Sequence, residues 1–343
     1  MKVGRKLVLA VIGALAMVAV LVLVLWIFRM PVGPSLERIL DGALRTEPGR
    51  ARTLVKMAPL LLAGLGMVVA WRAGMYNIGG EGQLILGLVC GAAVAKVGAG
   101  LPPPVLGYAV LATTALGGAL YAALAGWLYI KRGVQVVIST ILLNFIAVQV
   151  LAYAIRGPLQ ETKRELPQTQ PLPDAAMMAR LSPTTDLHAG IFWSLVFAVL
   201  VAVWLYRTVP GFHTRVVGSN ARVARAQRIP VSRTQMRAMV LSGGLCGLAG
   251  GIDYVGIAGQ VADSSAQGIG FMAIPVALLG GLDPLGATLS ALYFGALFAG
   301  TENMARFQSG ANSLIFVIQA VAVFAFLAFG WYSRRRAEVR GDV

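Results

Sequence analysis

Residues 134–155 read VQVVISTILLNFIAVQVLAYAI, a run without one Asp, Glu, Lys or Arg, framed by Lys131-Arg132 before it and Arg156 after it. An α-helix rises about 1.5 Å per residue, so a run of this length reaches across a hydrocarbon core of ~30 Å. Working outward, the same pattern recurs. Leu7 to Phe28 is a second uncharged run, preceded by Lys2, Arg5 and Lys6 and followed by Arg29-Met30-Pro31. Its length exceeds the apolar region of a secretory signal, and no small-residue cleavage site follows, so it reads as an uncleaved anchor. Further spans are expected near 54–71, 82–101, 104–130, 189–206, 236–257, 270–283, 286–301 and 309–331. The expectation is an all-α polytopic membrane helix bundle of about ten spans (eight to ten), one transmembrane domain over 1–343.

Two parts of this pattern are irregular. The runs 270–283 and 286–301 are short, and Gly280, Gly281, Asp283 and Pro284 separate them, which is consistent with two short helices or one broken helix. The run 82–101 carries Lys96 and several glycines, which points to an irregular helix. Gly243, Gly247 and Gly251, like Gly87 and Gly91, recur every fourth residue, a spacing that lets helix backbones approach closely in lipid.

Composition agrees. Of 343 residues, 57% are hydrophobic and 13% charged, against roughly half and a quarter in ordinary soluble domains. That excludes a soluble globular enzyme, a disordered chain and a coiled coil. The net charge of +15 does not call for nucleic acid, because the basic residues sit in short segments between apolar runs. With the N-terminus inside and spans alternating, 17 Lys and Arg fall on the cytoplasmic side and 10 outside. The asymmetry places both termini in the cytoplasm by the positive-inside rule. Cys90 and Cys246 lie in apolar runs and make no disulfide framework. His188 and His213 have no ligand-spaced partners, so neither a metal site nor a cofactor is expected.

Two loops are long. Residues 156–188 form an extracytoplasmic loop, rich in Pro and Gln, that reads as a solvated connection or as a recognition element. The cytoplasmic loop, 208–235, lies within a stretch from Arg207 to Arg237 that has no acidic residue. Pro210-Gly211 suggests a turn. Gly218 with Ser219-Asn220 suggests a second turn and an N-cap for a short helix over 221–227, which Pro230 would end. Arg222, Arg225 and Arg228 recur every third residue and so would share one helical face. Topology needs positive charge but no capped helix. The pattern fits a docking element for a soluble partner better than a topology signal alone or an anionic-lipid contact. The chain has no GxxxxGK[ST] phosphate loop, so active transport would draw its energy from a partner or an ion gradient.

Polar groups at membrane depth are costly and mark candidate sites. Asn77, Glu81 and Gln83 lie in a Gly-rich stretch between apolar runs, and either line a path or brace a helix break. Ser139, Asn144 and Gln149 in the 134–155 run either bond between helices or face a neutral polar substrate. Asp253 sits in the outer part of the 236–257 run, and Gln319 in the last run suits a helix–helix bond.

Four stretches resemble ABC-importer permeases of the nucleoside and simple-sugar branch, within the branched-chain amino acid and ribose-type superfamily. Asn77-Ile-Gly-Gly-Glu-Gly-Gln83 is similar to that branch's NIGAEGQ signature. Val137-Ile-Ser-Thr-Ile-Leu-Leu-Asn-Phe-Ile-Ala147 resembles its STIMLNYIA stretch. Residues 205–233 resemble its coupling loop, RAVGxNPxAARYAGI, and Val276-Ala-Leu-Leu-Gly-Gly-Leu-Asp-Pro-Leu-Gly286 resembles VALLGGLxPLG. The matches run in order over about 54–330. Ala221-Arg222 stands where the family has Pro-Glu or Pro-Asp, and Ala226-Gln227-Arg228-Ile229 stands for YAGI, so this coupling contact is more basic. The anchor and the 156–188 loop look like those of the larger of two paired permeases. The resemblance implies a multi-pass subunit of the inner membrane that does no chemistry. It also implies a second permease, a cytoplasmic ATP-binding subunit and an extracytoplasmic substrate-binding lipoprotein, with Gly218, Asn220, Arg222, Arg225 and Arg228 coupling to the ATPase. The alternative expectation is an ion-coupled secondary transporter for a small neutral polar solute.

Overall fold

The computed structural model of the chain describes residues 29–265 and 268–307, with isolated positions within 19–27 and 317–324. The anchor at 7–28 and the run 309–331 lie largely outside the described residues, and Gln319 lies wholly outside them. The described residues form α1 (Val32–Leu40), α2 (Glu47–Arg72), α3 (Gly80–Val97), α4 (Pro103–Arg132), α5 (Val136–Arg156) and α6 (Gly190–Arg207). There follow α7 (Val209–Ser219), α8 (Ala221–Ala226), α9 (Val231–Asp253), α10 (Ile269–Leu279) and α11 (Pro284–Phe307). Two isolated antiparallel bridges, Gln168 with Ala262 and Arg180 with His188, are the extended pairings recorded among them.

Seven of these helices are long and apolar enough to cross a membrane: α2 to α6, α9 with its π-turn to Ala258, and α11. Three of the expected spans differ from the structure. The span near 270–283 is the 11-residue helix α10, about 16 Å long at 1.5 Å per residue and half of a crossing. Its glycine turn stops it at Leu279. The span near 286–301 is longer than expected, because Pro284 opens the helix and Asp283 caps it. The run 82–101 is a regular helix over Gly80–Val97, and Lys96 sits in its last turn with Nζ donating to the Pro158 carbonyl at 2.7 Å.

The described chain divides into two compact units. One comprises residues 1–56 and 293–343, the other 57–292. In the first, Leu25, Ile39 and Met304 form a small core. Asn303 Nδ2 donates to the Arg38 carbonyl at 2.9 Å. Glu302 gathers Arg52, Lys56 and Arg306 at 3.9, 3.3 and 3.5 Å.

The second unit is organised around apolar helix surfaces with small residues at the crossings. In α2, Leu60 to Ala63, Leu65 and Met67 to Ala70 are all buried, as expected of a helix that is apolar all round. Helices α4 and α9 cross where Gly118 meets Gly243 and Gly247. A Cβ on Gly247 would run into the Thr114 and Gly118 backbone, so the four-residue glycine repeat is used as lipid-phase packing requires. By contrast α5 and α6 have only about a third of their apolar windows covered, leaving faces free for lipid or another subunit.

Candidate functional site

The stretch between α2 and α3 is not helical, although apolar helices flank it on both sides. Gly74, with φ of 73°, turns the chain out of α2, and Trp71 Nε1 donates to the Asn77 carbonyl at 2.9 Å. Backbone freed from a helix at membrane depth must find partners inside the protein. Here side chains supply them. Asn77 and Gln83 form a reciprocal amide pair: Asn77 Nδ2 donates to Gln83 Oε1 and Gln83 Nε2 donates to Asn77 Oδ1, both at 3.0 Å. Asn77 Nδ2 also donates to Ser242 Oγ at 3.0 Å on α9, and Gly79 N–H donates to Asn77 Oδ1 at 2.8 Å. From α5, Asn144 Oδ1 accepts from Gly82 N–H at 2.8 Å and Nδ2 donates to the Ile78 carbonyl at 3.0 Å. Thr140 Oγ1 accepts from Ile78 N–H at 3.2 Å.

Glu81 has a separate task. Its Oε1 accepts from Gly268 N–H at 2.9 Å and its Oε2 from Gly270 N–H at 2.7 Å, the residues that open α10. The first N–H groups of a helix have no partner within it and carry partial positive charge. A carboxylate there satisfies both needs, and Glu81 is buried in that position. Of the six polar residues expected to line or brace a path, Asn77, Glu81, Gln83 and Asn144 are therefore brought together around the helix break. Ser139 is also buried, and its hydroxyl donates back to the Val136 carbonyl at 3.1 Å. Gln149 stands apart. It is exposed near the middle of α5, on a face with Phe145, Ile146 and Tyr153.

The cytoplasmic loop expected at 208–235 is a helical hairpin. Thr208 caps α7, its Oγ1 accepting from Gly211 N–H at 3.2 Å. Pro210-Gly211 is thus not a turn. It lies in the first turn of α7, where proline's missing N–H costs nothing. Gly218 is likewise not a turn residue with positive φ. It sits in the last turn of α7, and a Cβ there would lie 2.7 Å from the Arg72 carbonyl carbon and 3.1 Å from Gly74 N. Asn220 caps α8 as expected, with Oδ1 accepting from Arg222 N–H at 2.9 Å and Val223 N–H at 3.1 Å. The short helix ends at Ala226, well before Pro230. Arg228 is therefore not on the helical face. It adopts φ of 57°, and Ile229 N–H closes the helix end on the Ala224 carbonyl at 3.0 Å. Val217, Ala224 and Val231 pin the hairpin with a small core, leaving Arg222, Arg225 and Arg228 exposed.

At the opposite end of the same unit, the 156–188 loop is tied to the segment after α9. Thr169 N–H donates to the Val261 carbonyl at 2.9 Å, Leu172 N–H to Gly259 at 2.7 Å, and Met178 N–H to Val255 at 2.9 Å, while Arg156 pairs with Asp263. His188, under the loop, accepts from Gly190 N–H at 3.0 Å through Nδ1. Burial pushes its imidazole down to about 4, with Asp186 partly opposing.

Residues 49–329 match the family described as branched-chain amino acid transport system / permease component. The chain belongs to that family. It is 31% identical, over 87% of its own length and 81% of the relative's, to the glucose ABC transporter permease protein TsgB13 of Haloferax volcanii. It is 32% identical to the guanosine ABC transporter permease protein NupP of Bacillus subtilis, covering 82% of this chain and 81% of that one. It is 29% identical to the nucleoside ABC transporter permease protein NupB of Lactococcus lactis, covering 85% and 82%. Bacillus subtilis and Lactococcus lactis each hold a second permease, 26% identical over 71% of this chain. This permease is a multi-pass membrane subunit of an ATP-binding-cassette importer and not an enzyme.

Proposed function

We propose that the chain forms half of the translocation pathway for a nucleoside or related sugar-containing solute, in a complex of the inner membrane with both its termini cytoplasmic. Its partners are a cytoplasmic ATP-binding subunit, a second and related permease, and an extracytoplasmic substrate-binding lipoprotein. The names of the relatives support the solute class, and the pairs in two organisms support the second permease.

One observation carries the coupling assignment: a doubly capped, core-packed helical hairpin, α7–α8, presents Arg222, Arg225 and Arg228 outward. A topology signal needs the charge but not this rigidity. Gly218 and Asn220 hold the hairpin to the Arg72 turn and start α8, so they belong to the coupling site through geometry. The pathway runs along α5. An exposed amide in mid-helix is expensive against lipid, and Gln149 sits in that position, so its face meets water or the second permease. The Asn77–Glu81–Gln83–Asn144 network and Ser139 shape the same path from behind. Ion coupling is the weaker reading, since both carboxylate oxygens of Glu81 are held by backbone N–H groups.

The test is reconstitution of the four-component complex in proteoliposomes, with labelled nucleosides and sugars offered in competition. Import of one of these classes, dependent on internal ATP, is the expected result. Import driven by an ion gradient without ATP would overturn the reading.

A further inference from the structure

Arg72, Tyr206 and Asp283 come from three distant parts of the sequence and meet at the end of the second unit that carries the α7–α8 hairpin. Tyr206, in the last turn of α6, donates its hydroxyl to Asp283 Oδ2 at 2.5 Å. The other oxygen of Asp283 accepts from Leu285 N–H at 2.9 Å and Gly286 N–H at 3.2 Å, capping α11. Arg72, the last residue of α2, donates Nε to the Leu282 carbonyl at 2.7 Å. Arg215 of α7 lies over the Tyr206 ring at 5.3 Å, its Nε buried without a hydrogen-bond partner among the described residues. Gly218 of α7 rests on the Arg72–Gly74 backbone.

The turn these groups hold is under strain. Gly281 and Leu282 are consecutive residues at φ of 65° and 56°, and a leucine rarely adopts that region. Burial opposes the charged form of Asp283. The hydrogen bonds from Tyr206, Gly286 and Leu285, together with the nearby Arg72, outweigh it and hold the carboxyl below the usual carboxylate range. The acceptor is therefore a carboxylate at neutral pH, and a charge-assisted bond from a tyrosine is among the stronger kinds. From this turn α10 runs 11 residues to Glu81 at the helix break. One short helix thus has its C-terminal end at the hairpin and its N-terminal end at the polar network.

We propose that Tyr206, Asp283 and Arg72 are positioning residues that transmit displacement of the α7–α8 hairpin to α10, and through Glu81 to the pathway. None of them touches solute. Tyr206 and Arg215 link α10–α11 to the hairpin, and Arg72 links the same turn to α2. A movement of α7 that broke the Tyr206–Asp283 bond would release the turn, whereas one that kept it would carry the turn along. This inference rests on the hairpin being the ATPase contact.

The test uses the reconstituted complex and reads solute imported per ATP hydrolysed. Tyr206→Phe removes only the hydroxyl and keeps the ring under Arg215. Asp283→Ser keeps an N-cap for α11 but is too short to reach Tyr206. Each is expected to lower the ratio roughly fivefold, the effect of losing about one hydrogen bond, while the ATPase still co-purifies and assembled complex is still recovered. The double variant is expected to be no worse than either single one, as for two members of one interaction. A wild-type ratio in both single variants would overturn the proposal, as would a ratio that falls only in step with loss of assembled complex. A paired Arg222→Lys, Arg225→Lys variant in the same preparations keeps the two readings apart. Loss of turnover there beside wild-type ratios for Tyr206→Phe and Asp283→Ser would leave the docking hairpin standing and remove the latch. Wild-type turnover there would remove the docking reading itself.

Discussion

Asn144 and Gln149 lie on one helix and carry the same amide chemistry, yet their surroundings set opposite expectations. Asn144 is buried and both its amide atoms are spent on the backbone of residues 78 and 82. Asn144→Leu would leave a buried N–H and a part-buried carbonyl without partners, at on the order of 1–3 kcal/mol for the buried group and less for the other. The expected outcome is a lower thermal midpoint of the purified complex, measured by fluorescence-detected unfolding, with reduced assembly. Gln149 is exposed and braces nothing among the described residues. Gln149→Leu is expected to leave the midpoint unchanged and to slow uptake, and wild-type uptake kinetics would remove that face from the pathway. Gly218 does not have a positive φ, so its backbone conformation does not demand glycine. The constraint is instead the Arg72 carbonyl, so Gly218→Ala already displaces α7 and is expected to lower ATP turnover of the complex nearly as far as Gly218→Val.

At the scale of elements, the apolar runs made α2 through α6 and α9 legible, because a charge-free stretch of span length has few alternatives to a helix. The start of α10 was legible, at 270 against Ile269, but its end was not: the apolar run continues to 282, and only the turn in which Gly281 and Leu282 take positive φ stops the helix at Leu279. Helix α7 was missed for a local reason, since Pro210-Gly211 is a turn signal that also suits a helix start once Thr208 caps it. The polar residues of the helix break were legible as types, but their partners were not, since Asn77 meets Ser242 across most of the chain. Two predictions belong here. Glu81→Gln keeps the shape but offers one acceptor where two N–H groups need one each, and is expected to fray α10. Faster hydrogen exchange at residues 268–272 would show it, and unchanged exchange would mean the carboxylate is not needed as a cap. The 156–188 loop should respond to acid. An unfolded imidazole takes its proton near pH 6.5, and His188 in the fold only near 4. Above pH 6.5 the group is neutral in both states and its contribution is constant. As pH falls from 6.5 towards 4 the opened loop gains a proton that the closed loop does not, so closure is progressively lost. Exchange protection at residues 169–178, corrected for intrinsic rates, should fall in that window and not in His188→Gln.

The whole molecule is a permease subunit and not an enzyme, so the ATP chemistry belongs to another chain. One end of the second unit carries a cationic helical hairpin, the other the hydrogen-bonded 156–188 loop, and between them lies a helix break whose polar groups are satisfied by the protein. In the function proposed above, this arrangement transmits force supplied by the ATP-binding subunit. The most direct measurement is solute import by the reconstituted complex with ATP enclosed on the hairpin side, set against the same complex carrying an ATP-binding subunit that cannot hydrolyse, with proton and sodium gradients collapsed by ionophores in both. Coupling to ATP hydrolysis predicts that import persists without the gradients and stops without hydrolysis, and that the purified permease alone neither binds nor hydrolyses ATP. Import that survives the inactive ATP-binding subunit and disappears with the ionophores would contradict it.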